Sequence, residues 1–199
     1  MSVIIALKDK DRVVVGTDIR MSDDYNYSDS YKTKPKAIHI NKEKTVIIGS
    51  VGNLGVLDVF NKVLNDVVKD WDKVDKSYII RYIIPTFMKE CEFYDCLEKD
   101  NRSVDGTILL AIKDRAYVIG HSYIVFELED YFTIGCGDET ARGSLYTSKD
   151  FGWSPERRIR MAIEASSSVS QFVSAISYVG DTKGKMFTPG TYKQMKNLQ

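Results

Sequence analysis

Residues 1–22, MSVIIALKDKDRVVVGTDIRMS, set two β-branched apolar runs on either side of the turn-forming tetrapeptide KDKD. Runs of this kind joined through charged turn residues read as a β-hairpin. The first run is almost continuously apolar, as expected of a strand covered on both faces. Residues 36–40 (KAIHI) and 45–51 (TVIIGSV) repeat the arrangement across NKEK, so two hairpins are expected. The period then changes. Leu54, Leu57, Phe60, Val63, Leu64, Val67, Val68 and Trp71 fall on three- and four-residue spacings, one face of a long helix. A second helix is expected from about Asp75 to Leu97, with Tyr78, Ile79, Tyr82, Ile83 and Phe87 on its apolar side and Pro85 kinking it.

Beyond the central loop DNRSVDG, the runs TILLAI, AYVIG, YIVFEL and YFTIGC read as further strands. Asp138 is placed to cap a helix through about Leu145, and Ser154 with Pro155 and Glu156 carries the start signals of another, to about Ser167. FVSAISYV (172–179) returns to strand alternation, and GDTKGK turns the chain toward a last strand or tail. Strands, two helices, strands, two helices, strands is the order of an α+β protein with mainly antiparallel sheets. Two sheets packed face to face with helices outside each would bury these apolar faces. No linker or composition break divides residues 1–199, which are expected to form one domain.

The 28 basic and 28 acidic residues cancel, and no stretch is strongly basic, which argues against nucleic acid as a partner. No apolar run approaches the roughly 20 residues that span a bilayer, and the first residues lack the pattern of a secretory leader. A cytoplasmic location without membrane attachment is the expectation. Cys91, Cys96 and Cys136 fit no disulfide or zinc pattern and are expected to be buried thiols, the first two within a helix. His39 and His121 have no metal-ligand spacing, and His39 alternates with Ile38 and Ile40 as an ordinary strand residue. Neither a metal, a cofactor nor a histidine triad is expected.

What remains is a constellation at one end of the first sheet: Ser2 at the strand tip, Asp18 and Arg20 closing the second strand, and Lys36 opening the third. Each residue also has an ordinary reading. Asp18 and Arg20 could be a surface ion pair, Lys34 and Lys36 solvated edge charges, Gly52 a tight strand-to-helix turn, and Ser2 a residue that merely favours methionine removal.

The segment GTDIRMS (16–22) resembles the close of the second strand in N-terminal nucleophile hydrolases of the proteasome β-subunit and HslV type. KAIHI is similar to that family's catalytic-lysine strand, GSVGNLG (49–55) to its glycine-rich segment before the first long helix, and YFTIGCGDETARGSLY (131–146) to the strand, GSG-like loop and helix of its second half. Four such segments in register span nearly the whole chain.

The resemblance implies a four-layer αββα sandwich and a peptidase subunit. Ser2, exposed by removal of Met1, stands where the family has threonine. An α-amino group has a pKa of ~7.7–8.0, so its free base can take the Ser2 hydroxyl proton without a histidine. Lys36 is expected to favour the alkoxide and to keep that amine deprotonated, with Asp18 pairing and orienting Lys36. Gly52 or Asn53 is expected to hold the oxyanion through a backbone N–H, and Arg20 and Ser22 to lie along an extended substrate, with Ser22 bonding its backbone. Asp138 stands in the place of the family's later serine or glycine. Where the family has an aspartate and then a serine, this chain offers Ser167 and Ser170, which supply no charge. Implied partners are an unfolded polypeptide substrate, further copies of the chain in a ring, and an ATPase unfoldase. The serine nucleophile and the missing carboxylate also motivate a second reading, a non-catalytic assembly subunit of the same fold; a third is an amidase acting on a small molecule, which needs a closed pocket where a peptidase keeps an open groove.

Overall fold

The computed structural model describes residues 2–22, 27–29, 38–41, 43, 45–98, 103–185 and 188–196. The opening hairpin is present: β1 (Val3–Asp9) and β2 (Arg12–Asp18) pair antiparallel with Asp9 opposite Arg12, leaving Lys10 and Asp11 as a two-residue turn. Lys10 takes φ 55°, the left-handed conformation that such a turn needs to follow the twist of its strands. β5 (Ile38–Ile40) and β6 (Val46–Gly52) form the second hairpin, and β7 (Gly106–Ile112) and β8 (Arg115–Ile119) a third, with Lys113 at φ 54°.

Two five-stranded sheets result. One has the order β10 (Tyr131–Gly135), β1, β2, β11 (Ser177–Asp181), β12 (Thr188–Gly190); the other has the order β5, β6, β7, β8, β9 (Val125–Glu127). Strand alternation sorts the side chains into layers. Ile4 and Ala6 of β1 meet Ile47 of β6 and Leu109 and Ala111 of β7 between the sheets. Val3, Ile5 and Leu7 face α4 (Asp138–Thr147) and α5 (Pro155–Val169) on one outer side. Val46 and Ile48 face α1 (Leu54–Val67), α2 (Lys76–Tyr78) and α3 (Ile84–Phe93) on the other. The architecture is the expected αββα sandwich. A short helix, α6 (Tyr192–Lys196), follows β12.

Several boundaries differ from the sequence reading. α1 ends at Val67, and Trp71 lies in a separate 3₁₀ turn, Trp71–Lys73. Ahead of Pro85, where a kink is expected, the helix takes a π-helical turn, Ile79–Ile83, in which the Ile84 N–H reaches back to Ile79 O. Widening the helix there relieves the clash between a proline ring and the carbonyl four residues before it. The helix stops at Phe93, so Cys96 lies beyond it, and Leu97 bridges Val104. Residues 172–176 are not strand. The run FVSAISYV joins the sheet only at Ser177, because its first half turns back toward the end of β2.

The tyrosine-rich segment DDYNYSDSYK supplies an unexpected element. Tyr27–Asp29 (β4) pairs antiparallel with Arg20–Ser22 (β3) as a separate two-stranded ribbon beside the start of β1. Lys34 and Lys36 lie outside the described residues, as does Met1.

Candidate active site

β1 delivers Ser2 to the edge of the space between the sheets. The Ser2 carbonyl accepts the Cys136 N–H at 3.0 Å, which carries the β1–β10 ladder one residue past the strand end. Gly135 makes this approach possible: it has φ +103°, and a Cβ there would stand 2.1 Å from Ser2 O. Ser2 itself is only 9% exposed. Its Oγ donates to Arg20 O at 2.9 Å.

Asp18, 2% exposed at the end of β2, stands beside it. Its Oδ1 accepts the Val3 N–H at 3.0 Å; its Oδ2 accepts the Arg20 N–H at 3.1 Å and the Ser174 N–H at 3.0 Å. Burial raises the Asp18 carboxyl above the ordinary carboxylate range, with these amide donors and the Ser2 hydroxyl pulling the other way. One buried carboxylate thus ties together the strand that carries Ser2, the turn after β2 and the chain leading into β11. Ser174 carries no charge and bonds through its backbone, so nothing in the sequence singles it out.

Arg20 is more than a strand-closing residue. Its guanidinium donates Nε to Asp29 Oδ1 at 2.8 Å, Nη2 to Asp29 Oδ2 at 3.0 Å and Nη1 to Gln171 O at 2.6 Å. Among the described residues Arg20 forms an ion pair with Asp29 rather than the surface pair with Asp18 that the sequence allows.

Gly52, with φ +99°, closes β6 against Gly106, whose Cα a Cβ at position 52 would meet at 2.7 Å. Asn53 caps α1, its side chain accepting the Gly55 N–H at 2.9 Å. The Asn53 backbone N–H donates to Asp105 O at 2.9 Å. Backbone groups alternate sides along an antiparallel strand, so the Gly52 N–H is turned away from β7. Ser2, Gly52, Asp105, Gly106, His121, Cys136 and Asp138 line a common cleft of about 370 Å³.

Other expected positions lie differently. Asp138 lines the cleft but is not a helix cap: Gly137 is the N-cap of α4, with Asp138 in the first turn, 3.4 Å from Arg142. Ser167 Oγ donates to Glu164 O within its own helix. Ser170 is the C-cap of α5, and its Oγ accepts the Phe172 N–H at 3.3 Å and lies 4.0 Å from Cys136 Sγ. Ser22 is in β3, its side chain among the undescribed groups. Cys91 and Cys96 are buried, whereas Cys136 is exposed at the cleft rim, contrary to expectation: the GCG turn that brings it to Ser2 O also holds it at the open end of the sheets. His121 reaches the cleft too, with Nδ1 3.2 Å from Val104 O. Among the described residues no group of three or more His, Cys, Asp or Glu could hold a metal ion, and no helix is long and apolar enough to cross a membrane.

No protein-family model and no curated protein sequence matches the chain. Solved structures do match its fold. BPH from Thiobacillus denitrificans, solved in complex with epoxomicin, is 14% identical, with TM-score 0.70 over 90% of this chain and 97% of its own. HslV from Trypanosoma brucei is 14% identical, with TM-score 0.64 over 90% and 98%. A Gly-1 mutant of Anbu from Hyphomicrobium sp. strain MC1 is 11% identical, with TM-score 0.73 over 100% and 93%. Identities this low establish a shared architecture rather than a shared activity. The αββα sandwich of this chain is the fold shared by these BPH, HslV and Anbu structures.

Proposed function

We propose that the chain is a proteasome-like peptidase subunit that hydrolyses peptide bonds of unfolded polypeptides through Ser2, made N-terminal by removal of Met1. The observation that carries this reading is Ser2 Oγ bonded to the Arg20 carbonyl at a cleft that Ser2 and Gly52 line, with the Asp18 carboxylate on the Arg20 N–H behind it. The free amine of Ser2 takes the hydroxyl proton as Oγ attacks the scissile carbonyl. The oxyanion is held by the Gly52 N–H, since the Asn53 N–H is engaged by Asp105. Collapse of the tetrahedral intermediate passes the proton to the departing amine and leaves an ester on Ser2, which water hydrolyses to regenerate the hydroxyl. Asp18 fixes the strand end, and Lys36 keeps the role that the family resemblance implies. Ring assembly and an ATPase partner belong to the same proposal.

The assembly-subunit reading has one observation in its favour: Ser167 Oγ is turned into its own helix and Ser170 is a helix cap, so neither replaces the family's carboxylate. Intact mass of the purified protein, alone and after a β-lactone probe, separates the two. Loss of one methionine and an adduct on Ser2 that Ser2→Ala and Lys36→Ala abolish is the expected result; a retained Met1 or an unreactive Ser2 favours assembly alone. Epoxomicin, held by the Thiobacillus denitrificans protein of this fold, is a second probe.

A further inference from the structure

We propose that Asp29, in the tyrosine-rich insertion, is a positioning residue for the nucleophile. The chain of contacts runs through one peptide. Arg20 N–H donates to Asp18 Oδ2 at 3.1 Å, and Arg20 O receives the Ser2 hydroxyl at 2.9 Å, so displacement of residue 20 moves both partners of the nucleophile. Residue 20 begins a three-residue strand outside both main sheets, whose ladder partner among the described residues is β4. What fixes it from the side-chain end is Asp29, its direct cross-strand partner.

That grip is bidentate, at 2.8 and 3.0 Å, and both side chains are less than one-fifth exposed, at 17% and 19%. A planar guanidinium held by two parallel bonds to a carboxylate is fixed in orientation as well as distance. The third guanidinium bond, to Gln171 O at 2.6 Å, anchors the same fork to the turn that leads to Ser174, whose N–H also feeds Asp18. Asp29 therefore closes a ring of contacts: Asp29 to Arg20, Arg20 to Gln171, the 171–174 turn to Asp18, and Asp18 to the strand carrying Ser2. Its carboxylate touches no reacting atom. The insertion that supplies it acts on the nucleophile through Arg20, and a shift of about 1 Å at a nucleophile costs on the order of a hundredfold in rate.

The catalytic part of this inference rests on the proposed hydrolase activity; the positional part does not. The test uses the full chain with Met1 removed, as wild type, Asp29→Ala and Asp29→Glu. Acylation of Ser2 by a β-lactone is followed over a range of probe concentrations, together with amide hydrogen exchange. In Asp29→Ala the maximal acylation rate falls by about tenfold or more with the half-saturating probe concentration unchanged, and Asp29→Glu, which can still offer both oxygens, restores most of it. Exchange speeds up at the Val3, Arg20 and Ser174 amides while β6–β8 stay protected. Asp29→Asn, nearly isosteric, replaces the alanine variant if that one fails to fold. Wild-type acylation and exchange in Asp29→Ala overturn the proposal. If the wild type is never acylated, the hydrolase reading fails on its own, and the exchange comparison still decides whether Asp29 positions Ser2: faster exchange upholds it, and unchanged exchange overturns it.

Discussion

Asp18 shows how one buried charge can organise a site and weigh on the fold. Its carboxyl is raised by burial, so in the pH window just above the ordinary carboxylate range the folded chain binds more protons at this position than the unfolded chain does. The Asp18 contribution to stability therefore falls as pH rises through that window and is greatest below it. Urea unfolding at stepped pH should show this slope, and Asp18→Asn should abolish it. The same substitution sets an amide NH₂ against backbone N–H donors, and is expected to cost about 1–3 kcal/mol and to stop Ser2 acylation. Gly135 is equally constrained. Gly135→Ala drives a methyl onto Ser2 O in a backbone region closed to side chains, and should lower stability by about 1–3 kcal/mol and abolish probe labelling. Alkylation mapped by mass should mark Cys136 first in the native protein, because the Cys91 thiol is buried and pushed up to about 12. A group added at Cys136 then slows Ser2 acylation by filling the rim of the cleft.

The elements divide into those that local pattern fixes and those that it does not. The hairpins and α1 follow from alternation, turn chemistry and a 3.6-residue stripe, all carried by the residues concerned. The late start of β11 depends on a contact between distant segments, Ser174 with Asp18, whereas the π turn answers the neighbouring Pro85 ring and the β3–β4 ribbon pairs residues five to nine apart whose side chains carry no hairpin pattern. Phe87, fully buried just past the π turn, packs edge-on against Phe60 with ring centroids 5.0 Å apart. Phe87→Ala should cost about 3–5 kcal/mol, read as a shift in the unfolding midpoint, because the cavity opens between two helices already committed to the sheet below. On the other side, the Arg160 guanidinium, 6% exposed, donates to Ser177 O, Gly190 O and Thr188 O, pinning β11 and β12 to α5. Arg160→Lys keeps the charge but loses the fork. Limited proteolysis should then release the segment after Lys185 while the rest of the domain stays intact.

At the scale of the whole molecule, the outer helix layers expose Ile80, Tyr82, Met88 and Phe93 on one side and Tyr146 and Val169 on the other. Within the proposed function these are contacts between copies. Native mass measurement should give a multimer, and Phe93→Asp, at a side chain 78% exposed, should lower the assembly state without lowering the unfolding temperature of the domain. If Phe93→Asp instead unfolds the chain, Phe93 belongs to the fold rather than to an interface.

The sequence by itself determined the layers. Strand alternation and helical periodicity are properties of consecutive residues, and the order of strands and helices leaves few ways to bury their faces besides an αββα sandwich. It also named Ser2, Asp18 and Arg20 as neighbours, because a hairpin of known turn fixes which residues share a sheet end. Only the tertiary structure decided what each does there. Asn53 N–H is bound by Asp105 O, Ser167 faces its own helix, Ser174 meets Asp18 through its backbone, and Asp29 holds Arg20 from an insertion without pattern. Backbone donors carry no signature in a side-chain sequence, and a contact between a turn and a strand far from it in the chain exists only once the layers have packed.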